Sequence, residues 1–372
     1  MKQIRTLIIA GILVAVATGY FGKKRRLTPR HVSLPPGGTV LPTRDCGDLF
    51  FVSAMINGLD GFNLILDTGT QGLTLSKEAV EKLWPGKSAG HVDELIVGEY
   101  TARDFSATLN DQTATSAVLG ERIDGLLGFR VFADVLLTYD YPNRIVKLQH
   151  GSLNTKDDHV LRYSGGMRPF LPFQTAGMRK EFLLDTGSTG GISIPHLKKL
   201  SLEDKLAVVS VSATLRGAFL RKAARLRTDA TWGPLHLSRP IVHSRNKKTH
   251  IIGCEIINRF ALTFDQQNML VRFIGPIHEI IEMDPLRTQG FIIAPKGDAY
   301  RVAYVIENSP ADNAGIKVND LLEAIDGKPL LIDCNWRNDR LKEQKTRTSS
   351  ILTFKRDDRK WDVKLDYIDR LP

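Results

Sequence analysis

Cysteine is scarce in this chain, and the scarcity excludes two architectures. Cys46, Cys254 and Cys334 are the only three in 372 residues, too few and too widely spaced for a disulfide framework or a zinc site. They read as three small buried or free thiols. His-Glu-x-x-His, Gly-x-Ser-x-Gly and a phosphate loop are all absent, and the nine histidines show no ligand spacing, so no metal-hydrolase, serine-hydrolase or nucleotide-binding signature competes for the chemistry. Acidic residues are missing from positions 1–30, where Lys2, Arg5, Lys23, Lys24, Arg25, Arg26 and Arg30 stand unopposed. That end carries most of the formal charge of +10; the remaining 44 basic and 41 acidic residues come to +3. The net charge after residue 30 therefore gives no case for binding DNA or RNA. With 42% hydrophobic and 25% charged residues, the chain is neither disordered nor collagen-like, and it is long enough for two or three domains.

The first 30 residues read as a signal peptide or membrane anchor. Leu7 to Phe21 is apolar apart from small residues and Thr18, and Lys23-Lys24-Arg25-Arg26 closes it. Ala15-Val16-Ala17 has the small-x-small form of a cleavage site, whereas cleavage there leaves a strongly basic mature end, so both fates stay open. The run is short for an apolar core that needs roughly 20 helical residues. Residues 31–44, with Pro35-Pro36-Gly37-Gly38, read as an exposed linker.

Beyond residue 45 the dominant feature is an internal repeat. Phe62-Asn63-Leu64-Ile65-Leu66-Asp67-Thr68-Gly69-Thr70 returns as Glu181-Phe182-Leu183-Leu184-Asp185-Thr186-Gly187-Ser188. A second block succeeds each copy: Leu126-Leu127-Gly128 with Leu137-Thr138-Tyr139-Asp140, then Ile251-Ile252-Gly253 with Leu262-Thr263-Phe264-Asp265. Glycine to aspartate spans twelve residues in both, and one insertion of seven separates the two units. Short apolar or alternating runs (49–56, 62–66, 145–148, 208–215) bounded by Gly, Asn, Asp and Pro predict strands. Only 77–83 and 195–200 predict short helices. Two related all-β lobes are expected at 45–158 and 159–276.

An apolar strand ending in Asp-Thr-Gly sets a carboxylate at the exposed end of a buried element, on a turn where glycine admits another backbone. One such tripeptide is a turn cap; two, each with its own apolar-apolar-Gly block, point to a paired device. On these residues the sequence resembles the retropepsin/pepsin superfamily of aspartic proteases, with two retropepsin-like β-barrel lobes fused in one chain. The resemblance implies that Asp67 and Asp185 are the catalytic pair and that Thr68 and Thr186 hydrogen-bond across the lobe interface. It makes Gly69, Gly187, Gly128 and Gly253 backbone requirements. Two carboxylates a few ångströms apart hold one proton between them, so one member takes a proton from water while the other donates to the scissile carbonyl. Neither metal nor cofactor is implied, and dimerisation is not required. Gly98-Glu99-Tyr100 is a candidate flap or an ordinary hairpin tip.

From Pro285 to about Arg370 the texture changes. Gly290-Phe291-Ile292-Ile293, Ser309-Pro310-Ala311-Asp312-Asn313-Ala314-Gly315-Ile316 and Asp320-Leu321-Leu322-Glu323-Ala324-Ile325-Asp326-Gly327 resemble a bacterial-type PDZ domain, an α+β fold. Ser-Pro-Ala opens a helix and Gly315 ends it; Asp326-Gly327 makes a tight turn. Asn319 stands where the family usually has Gly and accepts positive φ. The resemblance implies that Gly290, Phe291 and Ile292 present a peptide-binding edge. The whole therefore predicts a mainly β chain with an N-terminal apolar helix, two lobes at 45–158 and 159–276 and a PDZ domain at 285–370. The expected function is an exported, membrane-anchored or soluble envelope endopeptidase acting on peptide or protein substrates. The alternative is an inactive protease-like scaffold or PDZ adaptor in the same place.

Overall fold

The computed structural model describes residues 26–203, 205–214, 217–296, 299–331 and 346–371. The apolar run at 7–21, expected as a helix, and Cys334 lie outside them. Among the described residues no helix is long and apolar enough to cross a membrane.

Strands form where apolar runs alternate or bury both faces. Leu49–Ile56 is buried at most positions, and Asn57 and Gly58, at φ 49° and 77°, turn it into Leu59–Asp67 as a two-residue hairpin with both central φ positive. Around this hairpin the first lobe closes on itself. Tyr100–Leu109, Leu73–Leu75, Gly125–Gly128, Leu59–Asp67 and Leu49–Ile56 pair in that order, and Ala89–Val97 joins the two ends of the series. The second lobe repeats the core of this arrangement without closure. Its sheet runs from Ala207–Thr214 through Gly217–Arg225, Ile241–Ser244, Ile192–Ile194, Ile251–Ile252 and Met178–Leu184 to Ile280–Ile281 at the far edge.

A six-stranded sheet joins the lobes, with Leu136–Asp140 of one against Ala261–Asp265 of the other. The second repeated block thus pairs with its own copy. Thr138 meets Thr263 at the centre, their hydroxyls 3.0 Å apart, and Tyr139 packs edge-on against Phe264. The repeated aspartates are turn caps. Asp140 accepts from the backbone and side-chain amides of Asn143, and Asp265 does the same with Asn268. One continuous apolar core runs through both lobes, while the C-terminal domain has its own, built on Val302, Ala311, Ile316, Leu322, Leu352 and Phe354.

The structure corrects several expectations. Residues 31–44 are no free linker: His31–Ser33 pairs with Tyr100–Leu109, Thr39–Val40 joins the six-stranded sheet, and Leu41 is core. Proline and glycine mark turns there, and short strands between turns still satisfy their backbone on a neighbouring edge. The second lobe does not end at 276, because Ile280–Ile281 pairs with Leu235–Leu237 and Ile277, Ile281 and Met283 are buried in its core. The predicted helix at 77–83 forms as Lys77–Leu83, capped by Ser76. The one at 195–200 shrinks to the 3₁₀ turn Leu197–Lys199, too short to nucleate a full helix. Thr113–Leu119 is a helix that periodicity gave no reason to expect, ended by Gly120 at φ 66°. Cys46 is disulfide-bonded and Cys254 is free, so the three-thiol reading fails. Spacing in sequence excludes a framework; one bridge needs only spatial proximity.

Gly98-Glu99-Tyr100 is a fastened hairpin tip. Gly98 abuts Pro42, Glu99 accepts from Thr39 Oγ1 at 3.0 Å, and the buried Tyr100 donates to the Val131 carbonyl at 2.6 Å. The corresponding hairpin of lobe two, Ala207–Thr214 with Gly217–Arg225, is held to its sheet by the second strand alone among the described residues. Its first strand lies beside the helix Thr113–Leu119 of lobe one and beside Phe291–Lys296 of the C-terminal domain. At the chain end, Arg370 donates to the Val208 carbonyl at 3.2 Å and Leu371 is buried in the core of the lobes.

The corrected boundary is testable by truncation. A chain ending at Ile274 forfeits three buried side chains, worth roughly 1.5–3 kcal/mol each, that a chain ending at Leu286 keeps. Urea melts of the two truncations should therefore separate clearly, and coincident curves would return the boundary to 276.

Candidate active site

The two Asp-Thr-Gly turns are built the same way. In lobe one the strand bearing Asp67 runs parallel to Gly125–Gly128, with Asp67 opposite Gly128. In lobe two Leu183 and Leu184 run parallel to Ile251 and Ile252, and the Asp185 N–H donates to the Ile252 carbonyl at 3.0 Å. Gly128 and Gly253 have ordinary negative φ, so conformation is not what demands glycine. Space is: a Cβ on Gly128 would lie 2.3 Å from the Gly72 carbonyl oxygen, and one on Gly253 2.4 Å from those of Ser188 and Gly190. Phe129 N–H then reaches the Thr70 carbonyl at 2.8 Å, and Cys254 N–H the Ser188 carbonyl at 2.7 Å.

Thr68 and Thr186 are fully buried and bind the turns to each other. The Thr68 N–H donates to Thr186 Oγ1 and the Thr186 N–H to Thr68 Oγ1, both at 3.0 Å. Each hydroxyl then donates onward across the interface, Thr68 to the Leu184 carbonyl at 2.7 Å and Thr186 to the Leu66 carbonyl at 3.2 Å.

Above this junction the carboxyls face each other. A Cβ on Gly69 would fall 2.5 Å from Asp185 Oδ1, and one on Gly187 2.5 Å from Asp67 Oδ1, so each glycine leaves room for the opposite aspartate. Asp67 accepts from the Gly69 N–H at 2.7 Å and from Thr70 Oγ1 at 2.6 Å. Asp185 accepts from the Gly187 N–H at 3.1 Å. Burial first, then the charge and hydrogen bond of Asp67, hold the Asp185 carboxyl well above the usual carboxylate range. Cys254 is buried directly beneath, its Sγ 3.4 Å from the Thr186 carbonyl oxygen and 3.5 Å from the Tyr141 hydroxyl.

In the C-terminal domain, Phe291–Lys296 is the edge strand of a sheet continued by Ala299–Val305, Leu321–Ile325, Ser349–Arg356 and Arg359–Asp366. Gly290 precedes it at φ 96°, and a Cβ there would lie 2.1 Å from Ser309 Oγ. Its N–H is taken by Thr288 Oγ1, and its carbonyl by the Ile306 N–H and Ser309 Oγ. Phe291 packs its ring on Phe354, and Ile292 is buried. Ser309 caps the short helix Pro310–Asn313, Gly315 comes after it at φ 74°, and Asn319 has φ 76°.

A family model for the PDZ domain matches residues 301–335. The C-terminal domain is a PDZ domain. Among solved structures, the chain is similar to a retropepsin-like aspartic protease from Rickettsia conorii, at 16% identity over 33% of this chain and 95% of that one, with a TM-score of 0.24. No curated protein matches the sequence.

Around Asp185 the structure gathers residues that sequence reasoning did not single out. Arg168 Nη1 donates to the Gly69 carbonyl at 3.2 Å. Arg221 Nη2 donates to Ser193 Oγ at 2.6 Å and feels the charge of Glu255. Arg245 lies within electrostatic reach of both Asp185 and Arg168. No local motif marks these positions, because each arrives from a different strand or turn. Behind them His243 is buried with neither ring nitrogen hydrogen-bonded among the described residues, and burial, then Arg221, hold it well below its ordinary 6.5.

Two substitutions probe this geometry. Thr186→Val removes a hydroxyl while keeping shape, leaving the buried Thr68 N–H and Leu66 carbonyl unpaired; the expected loss is about 1–3 kcal/mol in denaturant melts. His243 stays neutral in the folded chain, so the unfolded state binds the extra proton below 6.5 and stability is lost as pH falls from there, by up to about 1.4 kcal/mol per pH unit. In His243→Leu, melts at pH 6.5 and 4.5 should lie closer together than in the wild type; an unchanged gap would assign the acid loss to other groups.

Proposed function

We propose that this chain is an aspartic-type endopeptidase in which Asp67 and Asp185 activate water, with the PDZ domain binding substrate or regulator peptides. The observation that carries the reading is the four-bond exchange between the two Asp-Thr-Gly turns, which leaves the two carboxyls opposed. A threonine pair that served only to join lobes would not need two glycines cleared for the opposite aspartates.

In this scheme Asp185 holds the shared proton, as its raised pKa supports. Asp67 carries the charge, stabilised by the Gly69 N–H and the Thr70 hydroxyl. A water between them loses a proton to Asp67 and attacks the scissile carbonyl carbon, while Asp185 donates its proton to the carbonyl oxygen. Collapse of the tetrahedral intermediate returns one proton to Asp185 and passes the other to the leaving amine. Both lobes come from one chain, so the pair forms without dimerisation. Phe291–Lys296 ends its sheet with no hydrogen-bonded strand beyond it among the described residues, a place for peptide addition that the neighbouring Ala207–Thr214 has to leave open. The apolar N-terminal run and the disulfide at Cys46 support export to an oxidising envelope compartment.

The test is an unbiased peptide-library digest. Asp67→Asn and Asp185→Asn should each lose about a thousandfold or more of the activity, since the pair acts as a unit, and wild-type cleavage should trace a bell against pH. Folding supplies the control. The folded state keeps a proton on Asp185 that the unfolded chain releases above 3.8, so this group's contribution to stability falls as pH rises. Asp185→Asn should accordingly melt higher than wild type at pH 7 while cutting nothing. Substantial cutting by either variant would remove the dyad assignment, and a wild-type chain that cuts no peptide would favour the scaffold or adaptor reading.

A further inference from the structure

We infer that Arg245 and Arg168 form an anion-recognition subsite on the Asp185 side of the cleft, and that substrate peptides present a carboxylate to it. The inference deepens the endopeptidase reading and rests on it.

Arg245 comes directly after the strand Ile241–Ser244, its N–H tied to the Ile194 carbonyl at 3.1 Å. Its side chain is half-buried, Nε is fully enclosed with no acceptor, and its guanidinium makes no hydrogen bond or ion pair among the described residues. An enclosed Nε–H without an acceptor is costly. The acid that acts on it is Asp185, but a dyad member that holds the shared proton leaves that cation uncompensated.

The neighbours sharpen the point. Arg221 has both a hydroxyl partner in Ser193 and the opposing charge of Glu255, so it is accounted for. Arg168 is anchored by one nitrogen on the Gly69 carbonyl, its guanidinium 5.5 Å from the Phe170 ring centre, and it repels Arg245. Among the described residues, the two guanidinium groups near Asp185 and the Gly69 turn thus have no ion pair of their own. Guanidinium is planar and donates in pairs, which fits a carboxylate.

The charge of the lobes points the same way. Residues 159–286, the second lobe as the structure bounds it, contain 18 Lys and Arg against ten Asp and Glu, a net +8, whereas 31–158 contain ten against 17, a net −7. The whole-chain figure conceals this opposition. A peptide entering between the lobes meets a field that draws its acidic part toward lobe two.

Such a carboxylate has two sources: an Asp or Glu side chain near the scissile bond, or the terminal carboxylate of the peptide. Matched peptides separate them, with Glu or Gln near the cleaved bond and with free or amidated C-termini. The readout is the ratio of kcat/KM between partners of each pair. The full-length protein should favour the carboxylate-bearing member about ten- to a hundredfold, the range of a hydrogen bond to a charged group. Arg245→Gln should bring that ratio close to one, and Arg245→Glu should turn the preference toward Lys. A preference that survives amidation identifies the side chain; one that vanishes on amidation identifies the terminus.

An arginine that only tunes Asp185 would displace the pH profile for both members of a pair together and leave their ratio alone. A wild-type ratio near one, or a ratio indifferent to Arg245→Gln, overturns the subsite. Anisotropy of the same labelled peptides on Asp67→Asn keeps the two readings apart. Selective binding with no wild-type cleavage would sink the dyad and keep the anion site, and cleavage with no selectivity would do the reverse.

Discussion

The reciprocal grip of Thr68 and Thr186 is the constraint on which the rest of the structure depends. Four buried hydrogen bonds cross between two chain segments 118 residues apart, and none can be broken singly without leaving a buried donor or acceptor unpaired. Gly69 and Gly187 then allow the carboxyls to approach, and Gly128 and Gly253 allow the strands below to close on the carbonyls of each turn. The joined sheet, with Thr138 against Thr263, repeats the same pseudo-twofold relation one layer down. The double lock holds the Asp185 turn where burial and the charge of Asp67 raise the carboxyl's proton affinity.

The two lobes share this centre and differ at the rim. Lobe one closes its barrel, and its hairpin tip is fixed by Pro42, Thr39 and the Tyr100 hydroxyl. Lobe two stays open, and the hairpin 207–225 hangs from one strand while leaning on the helix 113–119 and the PDZ edge strand. Closure abolishes edges and the freedom that goes with them. The asymmetry therefore leaves the less fastened rim to lobe two, the lobe that carries the excess of basic residues and Arg245 near Asp185.

What the sequence discloses is local or repeated. Asp-Thr-Gly, apolar-apolar-Gly and the strand at Leu49–Ile56 are contiguous, and duplication lifts them out of chance. The Asp326-Gly327 turn and the Ser309 cap are legible because each needs its residue type for a backbone reason that spacing reveals. Arg168, Arg221 and Arg245 come from separate turns and strands, and only the fold converges them. The 31–44 segment misled because proline and glycine mark the ends of strands as well as the absence of them, and the lobe-two boundary because Ile280 and Ile281 form a two-residue edge strand below the length at which alternation is visible. The opposed lobe charges were present in the composition and vanish only when the chain is summed as one body.

Charge and proton at the centre are coupled through Arg245. Burial and the charge of Asp67 push the Asp185 carboxyl up, while the Arg245 guanidinium pulls it down, so its proton affinity is a balance of opposing effects. In the proposed enzyme, a substrate carboxylate seated on Arg245 would offset the downward pull. Asp185 would then stay protonated to higher pH, the form that donates to the scissile carbonyl in that scheme. The coupling would be reciprocal, as any linkage between two sites must be: protonation of Asp185 would remove the competing anion from Arg245 and strengthen its hold on a substrate carboxylate. In the proposed enzyme, a guanidinium that is poorly satisfied in the free chain would link recognition of an anion to the protonation of the general acid, with no moving part required.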